Sequence, residues 1–435
     1  MPRPQPTTGP IDVVRAVSTH QSQGEPIKTG RSPLEVPLPG RSLPGAFYTD
    51  EDLFVTELAR FHLSDWVFAG HTVEIPQVGD YLTYDGGPES IIVVREADSS
   101  CRAFHNVCRH RGSRVCTARA GNKRRFICPY HSWTYDLDGR LVAARQMPPT
   151  FDRAAHGLRS AGVVEFGGLI FVSFSELPPS FERPRSDAEP RLAPYSLDRT
   201  KVAAKHSYVV DANWKIIAEN FRECYHCGPA HPEYCRAIVG ATVADSRARE
   251  EEAAAALAEQ RPLWAELGLD EPDIDFGPGS VHLLQRFAYR KGYLTQSVHG
   301  RPVAPLLGRL RGYQSGVLAF TVRPNFWMEV TADHAVTMRH TPISAAQTEV
   351  QMTWLVRDDA VAGCDYRPEE VSEFWRVTGE QDWTICRNTQ AGVRSRFYRP
   401  GPLAPSERAT AEWIEWYLAR MGMAAPNAVG KVCDD

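Results

Sequence analysis

The stretch CPYHSWTYDLDG, residues 128–139, places a histidine three positions after a cysteine in a turn-rich, aromatic segment. A similar pair lies just upstream in NVCRHRG, where His110 follows Cys108. Each loop therefore offers one thiolate, from Cys108 or Cys128, and one imidazole, from His110 or His131. Two such loops can hold a [2Fe-2S] cluster, with both thiolates on one iron and both imidazoles on the other. The pattern predicts this cluster within a small β domain.

Two alternatives to a cluster remain open for these four residues. A structural zinc site with two cysteines and two histidines has the same donors, and the spacing by itself does not exclude it. The four side chains could equally be ordinary core residues that happen to have this spacing. The flanking residues in CRHRGSRVC and CPYHSWTYDLDG favour the cluster, because they resemble the Rieske signature in order and in separation.

The bulk composition narrows the class of protein. The chain has 435 residues, enough for two or three domains, and its 49 basic and 53 acidic residues give a formal net charge of -4. No tract of lysine and arginine stands out, so nucleic acid is not an expected partner. The N-terminus lacks a signal-peptide pattern and no apolar run is long enough for a bilayer, so we expect no membrane contact and a cytoplasmic location. There the ten cysteines should stay reduced, as metal ligands or buried apolar side chains.

Residue composition and predicted secondary structure divide the sequence into three segments. Residues 1–45 are rich in proline, glycine and polar residues without periodicity, which predicts a mobile arm. Residues 46–182 begin with one helix, for which Asp50 is the predicted N-cap, and continue in short β-rich runs that predict the cluster domain. Residues 183–435 mix helices with strands and predict a second domain. The fold class is therefore α+β.

A second group of chemically active side chains lies in NWKIIAENFRECYHCGPAHPEYC. His226 and His231 are five residues apart, and at about 100° per residue an uninterrupted helix cannot aim both at one ion. Gly228 and Pro229 solve this, because the residue before a proline is disfavoured in the α region. We therefore expect the helix to end near Cys227 and the chain to fold back, so that both histidines reach one metal ion.

Two histidines need a third ligand, and the best candidate is Asp382 in GEQDWTICRNTQAG. Two imidazoles and one carboxylate leave the remaining positions of an iron(II) ion open for dioxygen. Glu223 lies three residues before His226 and is expected to reach its neighbourhood from the same helical face. The alternative is that the histidines are ordinary surface or core residues and that Asp382 is a solvated charge or a cap.

Taken together, the segments CRHRG, CPYHSWTY, ENFRECYHCGPAHP and EQDW resemble the catalytic subunit of Rieske-type non-haem iron oxygenases, from about Phe47 almost to the C-terminus. The resemblance implies a Rieske domain, a helix-grip catalytic domain with an antiparallel sheet, and a homotrimer. It also implies that electrons from NAD(P)H pass through a separate flavin and iron-sulfur reductase to the cluster. From there they cross a subunit boundary to the neighbour's iron(II), with O2 as co-substrate. In that scheme a carboxylate links a cluster histidine to an iron histidine, and the matching position is Glu223.

Within this family the chain is similar to the branch that attacks quaternary ammonium compounds, which includes glycine betaine and stachydrine demethylases. The similarity rests on glutamate at position 223, where ring-hydroxylating relatives generally have aspartate, and on segments such as ECYHCGPAHPE, PNFW and WLVRDDAVAGCDY. It implies hydroxylation of an N-methyl group, with release of formaldehyde and the demethylated amine.

The pocket for such a substrate is expected to use aromatic faces, because a quaternary ammonium has no proton to donate. Four aromatic residues near the motifs are candidates for this contact, with ordinary core packing as the alternative for each: Phe221, Tyr225, Phe326 and Trp327.

Two other functions fit parts of the pattern. The α subunit of an aromatic-ring-hydroxylating dioxygenase would carry the same metal sites but act on an apolar substrate. A Rieske protein that only transfers electrons would need the cluster but would have no use for His226, His231 and Asp382, which disfavours it.

Overall fold

The computed structural model of the chain describes residues 35–239, 246–274 and 280–423. Most of the predicted arm, residues 1–45, lies outside these ranges. Its last residues pack against the rest of the chain, because Leu43 is fully buried and the Ser42 N–H donates to the carbonyl of Gly401 at 3.0 Å. A mobile arm is therefore wrong for this stretch, while the domain boundaries at residues 45 and 182 stay predictions.

The first helix begins where its N-cap predicts. Helix α1 (Glu51–Glu57) starts after Asp50, whose side chain accepts from the backbone N–H groups of Asp52 and Leu53, each at 2.9 Å. A cap of this kind satisfies donors that the first turn leaves unpaired.

The chain from residue 67 to residue 173 is all-β, as predicted, and the structure describes it completely. It forms ten short strands: β1 (Val67–His71), β2 (Asp80–Gly86), β3 (Glu89–Arg95), β4 (Cys101–His105), β5 (Ala120–Asn122), β6 (Phe126–Ile127), β7 (Thr134–Tyr135), β8 (Leu141–Ala143), β9 (Gly162–Phe166) and β10 (Leu169–Ser173). They pair in three antiparallel sheets, in the orders β1-β10-β9, β4-β3-β2-β5 and β6-β7-β8. The cluster loops connect β4 to β5 and β6 to β7.

The described part of the second half combines helices with a larger sheet. Its helices are α2 (Glu182–Leu192), α3 (Trp214–Asn220), α4 (Cys227–Ala230), α5 (Pro232–Ala237), α6 (Ser246–Glu266), α7 (Pro368–Val393) and α8 (Arg408–Arg420). Its strands are β11 (Thr200–Val210), β12 (Asp273–Ile274), β13 (His282–Phe287), β14 (Val317–Val322), β15 (Phe326–Val330), β16 (Ala335–Ser344) and β17 (Gln347–Arg357). The strands form one antiparallel sheet in the order β11-β17-β16-β15-β14-β13-β12. None of the described helices has the length and apolarity needed to cross a membrane.

The two faces of this sheet are covered by different parts of the chain. Trp327 on β15 belongs to a core shared with Phe374 of α7, whereas its neighbour Phe326 belongs to a core shared with Phe171 of β10. The split follows from the alternation of side chains along a strand. Helix α7 therefore covers one face of the sheet. The segment of residues 67–181, which contains β1–β10 and is called the first module below, covers the other face.

Buried hydrogen bonds join the first module to the large sheet. The Asn325 side chain accepts from the Phe68 N–H at 2.9 Å, and its amide donates to the Tyr84 hydroxyl at 3.2 Å. His71 and Thr337 contact each other at 2.9 Å. Because buried polar groups are costly when unpaired, these bonds fix how β1 and β2 lie against β15 and β16.

Candidate metal centres and the adjoining cavity

The two cluster loops share one backbone frame. In each loop the cysteine N–H donates to the carbonyl five residues later at 2.8 Å, and the N–H four residues later donates back to the cysteine carbonyl at 3.0 Å. That fourth position has positive φ in both loops, 78° at Gly112 and 59° at Ser132. The left-handed residue lets the chain reverse tightly, so Cys108 and Cys128 start two matching turns.

In these loops the two sulfur donors lie together and the two nitrogen donors lie together. Cys108 and Cys128 are both buried and interact with each other, while His110 and His131 are exposed with their Nδ1 atoms 3.1 Å apart. Among the described residues, only one set of three or more metal-binding donors has all its atoms within 4.8 Å of one another, and it is not this set. A single tetrahedral zinc would need such convergence. A sulfur end and a nitrogen end instead fit a two-iron cluster.

Tyr135 supports the sulfur end. Its hydroxyl oxygen accepts from the Arg109 N–H at 3.0 Å and lies 3.2 Å from the Cys108 sulfur, so its proton is free to point at that sulfur. Burial raises the pKa of the Cys108 thiol, and the bond from Tyr135 opposes this by favouring the thiolate. Hydrogen bonds to cluster sulfur are one of the means by which proteins set the reduction potential.

The segment that carries the second pair of histidines departs from the predicted helix. Helix α3 ends at Asn220, well before Cys227, and His226 is the residue before the short helix α4. Pro229 does not end a helix but lies in the first turn of α4, where its missing N–H has no intrahelical partner to lose. The expected fold-back still occurs, because His231 separates α4 from α5.

A disulfide between Cys224 and Cys227 closes this turn, with the two Cα atoms 4.9 Å apart. The expectation of fully reduced cysteines is therefore wrong for this pair. The turn between α3 and α4 brings the two Cα atoms into bonding range, a proximity that composition cannot reveal. Described cysteines outside this disulfide that keep their thiol include Cys101, Cys108, Cys116, Cys128, Cys364 and Cys386.

His226, His231 and Asp382 converge on one point. The Asp382 Oδ1 atom lies 3.0 Å from His231 Nε2 and 3.3 Å from His226 Nε2, and all three donors lie within 4.8 Å of one another. Two ligands at right angles around an ion at ~2.1 Å would be ~3 Å apart. The spacing therefore suits one six-coordinate ion with open positions.

The partners of the two imidazoles orient them toward this point. Glu223 Oε1 lies 2.6 Å from His226 Nδ1, and a carboxylate can only accept, so Nδ1 carries the proton. Gln381 Oε1 lies 2.8 Å from His231 Nδ1, while its amide nitrogen donates to Glu233 at 3.3 Å. Both Nε2 atoms therefore face the Asp382 carboxylate, and this arrangement is favourable only with a proton or a metal cation between nitrogen and oxygen.

Electrostatics support this requirement. Burial lowers the pKa of His226, but its hydrogen bonds with Asp382 and Glu223 outweigh burial and raise it to about 9. Burial raises the pKa of Asp382, and its contacts with the two histidines outweigh that and lower it. The site between the three side chains therefore stabilises a positive charge. A metal cation can provide this charge and, unlike a proton, can also bind dioxygen.

A cavity of about 460 Å³ opens beside the three donors and is lined by all of them. Two of the four predicted aromatic contacts, Phe221 and Trp327, line it. Tyr225 does not, since its side chain is 60% exposed at the surface. Phe326 does not, because it alternates with Trp327 and points to the opposite face of the sheet. The structure therefore does not bring these two residues to the cavity.

Three further lining residues were missed by sequence reasoning: Tyr234, Glu329 and Trp375. Strand alternation in FWMEV could have found Glu329, which is two residues after Trp327 and so on the same face. Helical spacing could have found Trp375, which is seven residues before Asp382 on α7. Tyr234 lies three residues after His231, beyond the reversal of the chain, and no helical or strand spacing in the sequence predicts that it lines the cavity.

Comparisons with known proteins place both modules. Residues 65–161 match the Rieske [2Fe-2S] domain, and residues 197–423 match the ring hydroxylating alpha subunit (catalytic domain). The glycine betaine monooxygenase oxygenase subunit of Chromohalobacter salexigens is 39% identical over 393 residues, covering 89% of this chain and 88% of that protein. The protein of the same name from Pseudomonas aeruginosa is 35% identical over 419 residues, covering 93% and 96%.

Among solved structures, a quaternary ammonium Rieske monooxygenase superposes with a TM-score of 0.68 at 24% identity, over 88% of this chain and 95% of that one. At this identity the likeness concerns the fold, a cluster domain joined to an antiparallel catalytic sheet.

Proposed function

The chain belongs to the Rieske-type ring-hydroxylating oxygenase alpha-subunit family, and we propose that it hydroxylates an N-methyl group of a small quaternary ammonium compound similar to glycine betaine. Membership confirms the predicted family, the α+β fold class, the [2Fe-2S] and mononuclear iron cofactors, and the need for a separate reductase. The assignment of individual ligands to these cofactors is part of the proposal.

The observation that carries this function is one cavity lined both by three converging metal donors and by aromatic rings. His226, His231 and Asp382 would hold iron(II), and Cys108, His110, Cys128 and His131 would hold the cluster. When bound, the iron supplies the activation of dioxygen for insertion of one oxygen atom into a C–H bond, while two electrons from NAD(P)H reduce the other atom to water.

The protein's own groups orient and enclose this chemistry. Glu223 and Gln381 hold the imidazoles in the ligating tautomer, and the aromatic walls exclude water from the methyl group. Once an N-methyl carbon carries a hydroxyl group, its C–N bond breaks, the electron pair stays on nitrogen, and formaldehyde and one proton leave. No side chain has to protonate the leaving amine.

This function is tested by product analysis with a surrogate reductase. We expect glycine betaine to yield one formaldehyde for each NAD(P)H consumed, and simple arenes to yield no diol, because the cavity combines aromatic walls with a carboxylate. Mass spectrometry of the amine and a formaldehyde assay give the two readouts. Efficient cis-dihydroxylation of an arene, with no formaldehyde from any betaine, would favour the ring dioxygenase instead.

A homotrimer with electron transfer between neighbouring copies forms part of the proposal. His110 and His131 are exposed, and they are bordered by Ile127 and Tyr130, whose side chains are 54% and 55% exposed. An apolar rim around cluster ligands supports docking against another surface. The surface around Glu223 would receive it, since this carboxylate bonds directly to the iron ligand His226. A cytoplasmic location stays a prediction.

Ile127→Glu is expected to weaken the trimer and to slow NAD(P)H-coupled turnover at least tenfold, because it places a charge in the proposed contact. Both metal sites should stay filled, since Ile127 contributes no ligand. Light scattering and iron analysis check these outcomes. Leu177→Glu, an exposed leucine of the same module outside the loops, is the control. A trimer of unchanged stability in the Ile127 variant would contradict the proposed docking face.

A further inference from the structure

One face of the antiparallel sheet forms the floor of the catalytic cavity. Ala319 and Thr321 on β14, and Trp327 and Glu329 on β15, all line the cavity. In register, Ala319 is opposite Glu329 and Thr321 is opposite Trp327. Each large side chain therefore has a small one beside it, which leaves space above the floor for a ligand.

Glu329 is a buried carboxylate with little compensation from the protein. Its side chain accepts a hydrogen bond from the amide of Gln296, and the residue is only 3% exposed. No cationic side chain of the residues that the structure describes forms an ion pair with it. Burial therefore raises the pKa of Glu329 to about 8, although the bond from Gln296 lowers it. A carboxylate in this setting is stabilised by any cation that enters the cavity.

The orientation of Glu329 is fixed by a short chain of hydrogen bonds. The Trp375 indole N–H donates to Gln296 Oε1 at 3.0 Å. Because an indole can only donate, this contact sets which end of the Gln296 amide faces Glu329, and it is the NH2 end. The same contact holds Trp375, so the carboxylate and the indole are positioned together.

Four aromatic rings form one connected group in the same cavity as this carboxylate. The ring centroids of Trp327 and Trp375 are 4.6 Å apart, those of Phe221 and Trp327 are 5.6 Å apart, and those of Tyr234 and Trp375 are 5.6 Å apart. All four rings line the cavity together with Glu329.

Tyr234 locates Glu329 relative to the iron ligands. Burial raises the pKa of Tyr234 well above its usual value, and the negative charges of both Glu329 and Asp382 raise it further. The hydroxyl is therefore within electrostatic range of both carboxylates, and all three groups line the same cavity.

We propose that the Glu329 carboxylate is the anionic partner of the substrate's quaternary ammonium group, within the ring formed by Phe221, Tyr234, Trp327 and Trp375. This inference rests on the proposed function, and it assigns the enzyme's selectivity for a cationic substrate to the Glu329 carboxylate. A quaternary nitrogen cannot donate a hydrogen bond, so it is recognised by charge and by ring faces alone. The ammonium offsets the cost of the buried carboxylate, and the neighbouring iron ligands face its methyl groups.

The opposing possibility is that Glu329 stays protonated and donates a hydrogen bond to the carboxylate of a betaine. The two roles predict opposite pH effects. If the anion binds the ammonium, betaine affinity rises about tenfold per pH unit below the pKa of about 8 and levels off above it. If the neutral acid binds the carboxylate, affinity is level below this pKa and falls about tenfold per pH unit above it. Tyr234 and Tyr289, which are within range of the Glu329 charge, stay neutral there because burial raises their pKa values well above the usual value, and the charged side chains of Arg222 and Glu223 line the same cavity.

The experiment is calorimetry on metal-loaded protein without reductant, so that no turnover occurs. Glycine betaine is compared with 3,3-dimethylbutanoate, in which carbon replaces the charged nitrogen. We expect Glu329→Gln to weaken glycine betaine binding at least about tenfold and to abolish its rise with pH, because one partner of a buried charge pair is lost. Binding of the neutral-headed analogue should be unchanged or tighter. Unchanged betaine affinity, or affinity that falls as pH rises in the wild type, overturns the proposal.

Glu219→Gln is the matched control. Glu219 is a partly buried glutamate whose pKa burial likewise raises to about 8, but it bonds to Tyr48 and does not line the cavity. Its replacement should leave betaine affinity unchanged, and an equal loss in both variants would overturn the specific role of Glu329.

The role of Glu329 and the proposed function can be refuted separately. Wild-type protein that releases formaldehyde from betaines while Glu329→Gln binds normally refutes only the role of Glu329. Wild-type protein that neither binds nor demethylates any betaine refutes the function and this role with it.

Discussion

Asp382→Ala is expected to remove the mononuclear iron and to reduce turnover to background, while the cluster keeps its spectrum. The Asp382 carboxylate is the only anionic member of the converging set, and without it two lone pairs at His226 and His231 would face each other with no negative charge to balance the ion. The cluster loops belong to the other module, so their donors are untouched. Iron and acid-labile sulfide analysis, together with the EPR of the reduced cluster, check this result.

Glu380→Ala provides the control for that substitution. Glu380 lies on the same helix and pairs with Arg376 at the surface. Its loss should leave both metals and turnover unchanged. If Asp382→Ala retained a full complement of mononuclear iron, the third ligand would be another residue. His226→Ala should reproduce the loss, which separates removal of a ligand from a folding defect specific to position 382.

Glu223→Gln is expected to keep both metals and to lower coupled turnover about 10- to 100-fold, the range for replacing a group that orients a metal ligand. The Glu223 carboxylate accepts from His226 Nδ1 at 2.6 Å, and its other oxygen accepts from the His226 backbone N–H at 3.2 Å. An amide has one acceptor oxygen and no charge, so it cannot satisfy both donors. Reoxidation of the reduced cluster in a single turnover, followed by stopped-flow absorbance, measures the electron-transfer step directly.

Gln381→Ala distinguishes bridging from orientation. Gln381 plays the orienting part for His231 that Glu223 plays for His226. If Glu223 carries electrons between subunits, only its replacement should slow reoxidation of the cluster, while both variants should slow the chemical step. Equal reoxidation rates in both variants would leave Glu223 with an orienting role alone. A near wild-type rate for Glu223→Gln would contradict its proposed place in the route.

Local spacing was enough to predict the paired cysteines and histidines of the cluster loops and the two histidines of the proposed iron site. Each cluster loop carries its two donors within a few residues, and their matching backbone frames are formed by bonds inside each loop. The break around Gly228 and Pro229 likewise indicated that His226 and His231 face one ion, although the structure moves the helix end to Asn220. Short-range patterns of this kind survive because tight turns depend mainly on the residues within them.

The tertiary structure alone decided which side chains line the cavity. Asp382 and His231 are 151 residues apart and come together only because α7 packs against α5. Phe326 and Trp327 are adjacent and equally apolar, yet the packing of the first module on one face and α7 on the other sends them into separate cores. From the sequence alone, a glutamate in a strand such as Glu329 is expected to be exposed to solvent. It becomes a buried, uncompensated charge because both faces of its strand are covered, and burial is a property of the whole fold.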